Sequence, residues 1–92
     1  MANPIIVGTT AIVAVLRNPN RVKIRFQNTG ATVLYFYRNP NIPSIVNYEF
    51  LLEPGTIAEI NEAYIETNST AQFNVVSSAV GGILAIFETV KV

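Results

Sequence analysis

Apolar and polar residues alternate with a period of two along most of this chain, the pattern of half-buried β-strands. The clearest run is residues 21–27, where Val22, Ile24 and Phe26 point one way and Arg21, Lys23, Arg25 and Gln27 the other. That reads as a strand with one face on a core and one in water. Residues 11–16 before it form a short apolar run rich in β-branched side chains. Asn18-Pro19-Asn20 separates the two runs. Proline fixes φ and asparagine accepts turn backbone angles, so a turn is expected there. Asn28-Thr29-Gly30 predicts a turn before a hairpin partner over residues 32–38. In that partner Val33, Tyr35 and Tyr37 share one side and Leu34 and Phe36 the other. Both sides are apolar or aromatic, so both should be covered.

The second half continues in the same way. Asn39-Pro40-Asn41-Ile42-Pro43 is a loop, because two prolines hold it out of a regular sheet. Residues 44–52 carry one or two short strands, and Glu53-Pro54-Gly55 is a strong turn signal. Strands are expected over 56–60, 64–66 and 71–76, with a turn at Asn68-Ser69-Thr70. Residues 77–82 read as a loose tip, and 83–90 as the last strand. That strand places Ile83, Ala85 and Phe87 on one face and Leu84, Ile86 and Val90 on the other. No stretch has a helical period. Eight or nine short strands with turns about every ten residues predict an all-β fold. The expectation is a single small β-sandwich over residues 1–92, with jelly-roll or Ig-like Greek-key connections, in which residues 1–8 could serve as an N-terminal arm. A small OB-like barrel is the alternative.

Composition sharpens this picture. Half of the 92 residues are hydrophobic and 13% are charged, against about 25% charged in an ordinary soluble domain. A domain of this length holds a modest core. The surplus of apolar residues therefore points to cover by other subunits. An edge strand apolar on both faces would invite aggregation, so one face of the last strand is expected in a subunit interface, most simply of a trimer. The candidate interface residues are Ile83, Leu84, Ile86, Phe87 and Val90, with Ile42 in the proline-rich loop as an anchor for a partner protein.

Charge is zero overall but divided along the chain. Residues 1–48 hold Arg17, Arg21, Lys23, Arg25 and Arg38 and no acid; residues 49–88 hold Glu49, Glu53, Glu59, Glu62, Glu66 and Glu88 and no base. Three readings are open. The early and late strands neutralise each other within a sheet, neighbouring subunits pair oppositely charged faces, or residues 17–25 form a basic strip for nucleic acid.

Candidate chemistry is sparse. The chain has no His, Cys, Trp or Asp. Ser–His and Cys–His pairs are excluded, and so are tight zinc, iron or copper sites, which use His and Cys ligands. A two-Glu glycosidase pair is the remaining formal option, but six scattered glutamates read better as solvated strand and turn residues. Calcium needs six to eight gathered oxygens, and the glutamate spacing lacks a loop that gathers them. No phosphate-cradling glycine motif occurs; Gly81-Gly82 reads as a turn. The expectation is no catalytic, cofactor or metal site. No segment reaches the roughly 20 apolar residues needed to span a bilayer, and the N-terminus lacks the basic region of a secretory signal.

The order of the signals resembles a known group. Thr9-Thr10 leads into Arg17-Asn18-Pro19-Asn20-Arg21, followed by Phe26-Gln27-Asn28-Thr29-Gly30 and the aromatic Leu34-Tyr35-Phe36-Tyr37. Phe50-Leu51-Leu52-Glu53-Pro54-Gly55 comes next, then Ala71-Gln72-Phe73-Asn74-Val75-Val76-Ser77-Ser78 and Phe87-Glu88. Over roughly residues 9–88 this resembles small virion proteins of tailed bacteriophages, namely capsid decoration (cement) proteins and head-fibre or spike-base domains. The resemblance implies a virion structural role after assembly in the host cytoplasm, symmetric self-association, and a major capsid or other virion protein as partner. It supplies no catalytic residues. Two other classes are carried beside it. One is a carbohydrate-binding or host-recognition module using Tyr35, Tyr37, Tyr48 and Tyr64. The other is a single-stranded nucleic-acid binder using Lys23 and Arg25 with Phe36 or Tyr37 as stacking platforms.

Overall fold

The computed structural model describes residues 4–61 and 71–90. Eight strands run in the order β1 (Ile5–Val7), β2 (Ile12–Val15), β3 (Arg21–Asn28), β4 (Leu34–Arg38), β5 (Phe50–Leu52), β6 (Ile57–Asn61), β7 (Phe73–Ser77) and β8 (Gly82–Val90). The described residues contain no helix. The strand expected over 64–66 and the turn at Asn68-Ser69-Thr70 lie outside the described residues.

The pairing follows one rule. β1 pairs with β8, β2 with β7, β3 with β6 and β4 with β5, all antiparallel. The chain is thus one long hairpin doubled at β4–β5, whose first half lies along its second half. That ribbon is wound into two sheets, closed by β3 against β8 and β4 against β7. The orders are β1-β8-β3-β6 and β2-β7-β4-β5, which is the jelly-roll form of the β-sandwich. Consecutive strands change sheet at every step except β4 to β5. The expected β3–β4 hairpin is therefore corrected: Asn28-Thr29-Gly30 carries the chain from one sheet to the other. Within residues 1–8, the stretch expected as a possible arm, Ile5–Val7 form the edge strand β1 paired with β8.

The turn chemistry explains the crossings. Asn18 Oδ1 accepts from the Asn20 amide at 3.0 Å, and the Arg21 amide donates to the Asn18 carbonyl at 3.1 Å. Glu53-Pro54-Gly55-Thr56 closes with a 3.1 Å bond from the Thr56 amide to the Glu53 carbonyl, and Gly55 sits at φ +83°. Proline second and a positive-φ glycine third define a type II turn. Asn28 is fully buried and ties the crossing together. Its Nδ2 donates to the carbonyls of Thr32 and Leu52, and its Oδ1 accepts from the Gly30 amide. Gly82 is fixed by space: a Cβ there would lie 2.8 Å from both Ser77 Oγ and the Val7 carbonyl oxygen.

The core lies between the sheets. Ile24 and Phe26 from β3 meet Leu34 and Phe36 from β4, with Phe73 and Val75 from β7 and Leu84 and Ile86 from β8. Phe26 is its hub, with ring centroids 5.0 Å from Phe36, 5.4 Å from Phe73 and 6.4 Å from Phe50. Such ring pairs add to what burial alone contributes. One predicted phase is corrected at the start of β3. A register shift between Arg21 and Lys23 turns Arg21 inward, where it is 1% exposed. Its guanidinium donates to the Leu16 carbonyl at 2.6 Å and the Ala71 carbonyl at 3.0 Å, and its Nε lies 3.5 Å from Glu88.

Candidate functional site

Glu88 faces Arg21, Glu59 faces Lys23 at 3.9 Å, and Glu49 accepts from Arg38 Nε at 2.9 Å. Each pair joins a basic residue of the first half of the chain to an acid of the second half. Of the three readings of the divided charge, neutralisation within the fold is the one these pairs realise, because the doubled hairpin lays one half along the other. No group of three or more metal-ligating side chains occurs among the described residues. A groove of about 610 Å³ at one end of the sandwich runs past Val15, Leu16, Arg17, Asn18, Arg21 and Glu88. It offers guanidinium groups and one carboxylate already engaged by Arg21.

The last strand has a neighbour on both sides only at its start. β8 lies between β1 and β3; β3 pairs with it from Leu84 to Val90, and β1 from Gly82 to Leu84. Leu84 and Ile86 point into the core. They are filled against by the chain's own second sheet and form no surface, which corrects their place among the interface residues. Val90 is 46% exposed at the strand's end. Ile83 and Phe87 are half-buried on the outer face. There Ile6 stands opposite Ile83, and Arg25 opposite both Phe87 and Glu59. The Arg25 guanidinium lies 4.5 Å from the Phe87 ring centroid, a cation–π contact. Ile6 is 71% and Ile57 53% exposed on the same face. Sequence patterning missed these two because each sits in a short strand with little alternation.

The other sheet treats its outer face differently. The loop of residues 39–49 folds over it. Asn74 Nδ2 donates to the Asn41 carbonyl at 2.9 Å, and Tyr48 packs on Tyr35 with centroids 5.0 Å apart. Pro43 is buried beneath, and Val76, on the outward side of β7, is 5% exposed. The expectation that both faces of β4 are covered is met by this loop. Ile42 is 62% exposed, beside Val13 and Asn74. Beyond it Ser44 and Asn47 exchange backbone bonds at 2.8 and 3.3 Å, leaving Ile45 and Val46 at the two corners.

For the sugar-binding reading, the Tyr35 and Tyr48 rings are tilted by 55° to each other, Tyr37 is half-buried on β4, and Tyr64 lies outside the described residues. For the nucleic-acid reading, Phe36 is in the core, Tyr37 is half-buried on the other sheet, Lys23 is paired with Glu59, and Arg25 is stacked on Phe87. Comparison with protein-family models and with curated proteins finds no match to this chain.

Proposed function

We propose that this chain is a non-enzymatic virion structural protein, a capsid decoration or cement protein that self-associates and binds the outer surface of a phage head. The observation that carries the reading is the outer face of the β1-β8-β3-β6 sheet. There Ile6 and Ile57 are more than half exposed beside Ile83 and Phe87. Exposed aliphatic side chains at the two edges of a face whose charges, Lys23, Arg25 and Glu59, are already engaged within the chain suit cover by another protein. The doubled-hairpin sandwich is an architecture that recurs in viral capsid domains, and the turn and strand signals resemble small virion proteins.

The sheet face meets the capsid protein, and its contact is area and shape rather than chemistry. Heads lacking a decoration protein, incubated with the purified chain and sedimented, test this. Wild type is expected to co-sediment at a fixed ratio to the capsid protein. Ile6→Lys combined with Ile57→Lys is expected to fold normally and stay in the supernatant. Wild type that fails to bind, or a doubly substituted chain that binds equally well, overturns the reading.

A further inference from the structure

We propose that Arg25, in the middle of the open β1-β8-β3-β6 face, receives a carboxylate from the protein that covers this face. The inference rests on the capsid-binding reading above and adds one polar anchor to a contact otherwise made of area and shape. The first observation is that Arg25 keeps its charge. Its guanidinium lies 4.5 Å from the Phe87 ring centroid, and a ring attracts a cation without neutralising it. Glu59 stands directly opposite on β6, but its carboxylate turns to Lys23, 3.9 Å away. The ion pairs among the described residues belong to Arg21, Lys23 and Arg38, not to Arg25. Arg25 Nε is buried without a hydrogen-bond partner.

The second observation is the setting. Phe87 holds the guanidinium in place, so its planar fork of donors is preorganised for the two oxygens of a carboxylate. Such a group loses little freedom on binding. Ile57 lies one row away along the sheet, beside Gln27 and Ala85, and Ile83 and Ile6 lie in the row beyond. A protein laid on these aliphatic side chains also covers Arg25. A charge covered without a counter-charge is strongly destabilising, so the covering surface has to bring one.

The number of charges selects the occupant. Among the described residues this face carries Lys23, Arg25 and Glu59. After the Lys23–Glu59 pair, one positive charge is left. Nucleic acid is held through many phosphates, each met by a Lys or Arg, and anionic membranes through clusters of them. One cation among isoleucines fits neither. A single Asp or Glu side chain with apolar neighbours matches it in sign, number and shape.

Heads lacking a decoration protein are sedimented with purified chains at low and at moderate salt. Arg25→Gln is expected to stay folded, to lower affinity for heads at least about tenfold and to flatten the salt dependence. Arg25→Lys keeps the charge but loses the fork, and is expected to fall between the two. Glu59→Gln is expected to bind at least as tightly as wild type, because it removes a carboxylate that repels the incoming one. Wild-type affinity in Arg25→Gln overturns the proposal. So does an equal loss in Glu59→Gln, which would make the counter-charge internal. A particle-free arm separates this proposal from the decoration reading. The Arg25 Nε–H magnetic resonance signal, assigned by its loss in Arg25→Lys, is followed as sodium propionate is added at constant ionic strength. A saturable shift is expected. No shift overturns the proposal whether or not heads are bound, and so does a shift with inorganic phosphate alone. A propionate shift in a chain that leaves heads bare refutes only the decoration reading.

Discussion

The two sheets have equivalent inner faces and opposite outer ones. On β2-β7-β4-β5 the chain's own 39–49 loop lies over the strands, so Asn74 and Val76 are 3% and 5% exposed on the side away from the core. On β1-β8-β3-β6 no described segment does this, and Ile6 and Ile57 stand open. An apolar outer face can be covered by the same chain or by another one. Composition reports the sum of the two cases: the internal roof accounts for part of the half-hydrophobic sequence, and only the remainder is left for the proposed partners to cover. The outer face of the roofed sheet is held by specific hydrogen bonds, whereas the open face is held by one exposed ion pair, Lys23–Glu59, and one cation–π contact. Substitutions on the two faces should therefore cost very different amounts.

The scale is set by a residue that belongs to neither face. Arg21 lies between the sheets and fastens the β2–β3 connection, the segment before β7 and β8 at once. Arg21→Met keeps the apolar stem and removes the donors, leaving the Leu16 and Ala71 carbonyls short of a partner. Removing one member of a buried pair costs about 3–5 kcal/mol. The lower end applies here because Glu88 is 34% exposed and regains water. A loss of about 3 kcal/mol is a large share of the 5–15 kcal/mol of a typical domain, and urea unfolding measures it. A loss below about 1 kcal/mol would show that the guanidinium is dispensable to the joint.

How much of this could be read beforehand depends on the range of the interaction. Strand positions, the Asn18-Pro19-Asn20 turn and the Glu53-Pro54-Gly55 turn are local, and the sequence pattern placed them. The divided charge was visible too, and the doubled hairpin turns that division into Arg21–Glu88, Lys23–Glu59 and Arg38–Glu49. What was not legible is which sheet a strand joins. β8 reads as an apolar edge strand because a strand with neighbours on both sides and an edge strand covered by a subunit have the same local pattern. Arg21 and Asn28 read as a wet strand position and a turn residue. Their burial comes from a register shift and from carbonyls at Ala71 and Leu52, far away in sequence. The turn carrying Ile45 and Val46 was inside a predicted strand region, where β-branched residues raise no question.

The roof gives the next effect. Asn74→Val removes the donor to Asn41 and the acceptor for Gln72 Nε2 at 3.1 Å, leaving a carbonyl under the loop without its partner. A buried group left unsatisfied costs about 1–3 kcal/mol, and the lower end applies here because Asn41 is exposed and its carbonyl regains water. The matched change on the open sheet is Gln27→Val, on the outer side of β3 opposite Ala85 and Ile57. A surface substitution away from such features stays within about 0.5 kcal/mol. Chemical denaturation of both variants reads the difference, and amide exchange of residues 39–49 should quicken only in Asn74→Val. Equal costs would mean that the loop does not stabilise the sheet it covers.

The smallest and most discriminating pair is ionic. Arg38 and Glu49 are 35% and 21% exposed and in contact at 2.9 Å, while Lys23 and Glu59 are 45% and 44% exposed at 3.9 Å. Glu49 also accepts from the Arg38 backbone amide at 3.3 Å, so its carboxylate fixes the return of the loop to the sheet as well as a charge. Glu49→Gln should cost about 1 kcal/mol, less than a buried charge-assisted bond because water still reaches both side chains. Glu59→Gln should cost about 0–0.5 kcal/mol, the range of an exposed pair. Salt separates the two further. At 0.5 M sodium chloride the Debye length falls to about 4 Å, so any Glu59 effect should vanish while most of the Glu49 effect persists through its hydrogen bonds. Melting curves of the wild type and both variants at low and high salt measure this directly. If the two variants lose the same stability and lose it equally with salt, the roofed face is held no more specifically than the open one, and the contrast between the two sheets reduces to exposure alone.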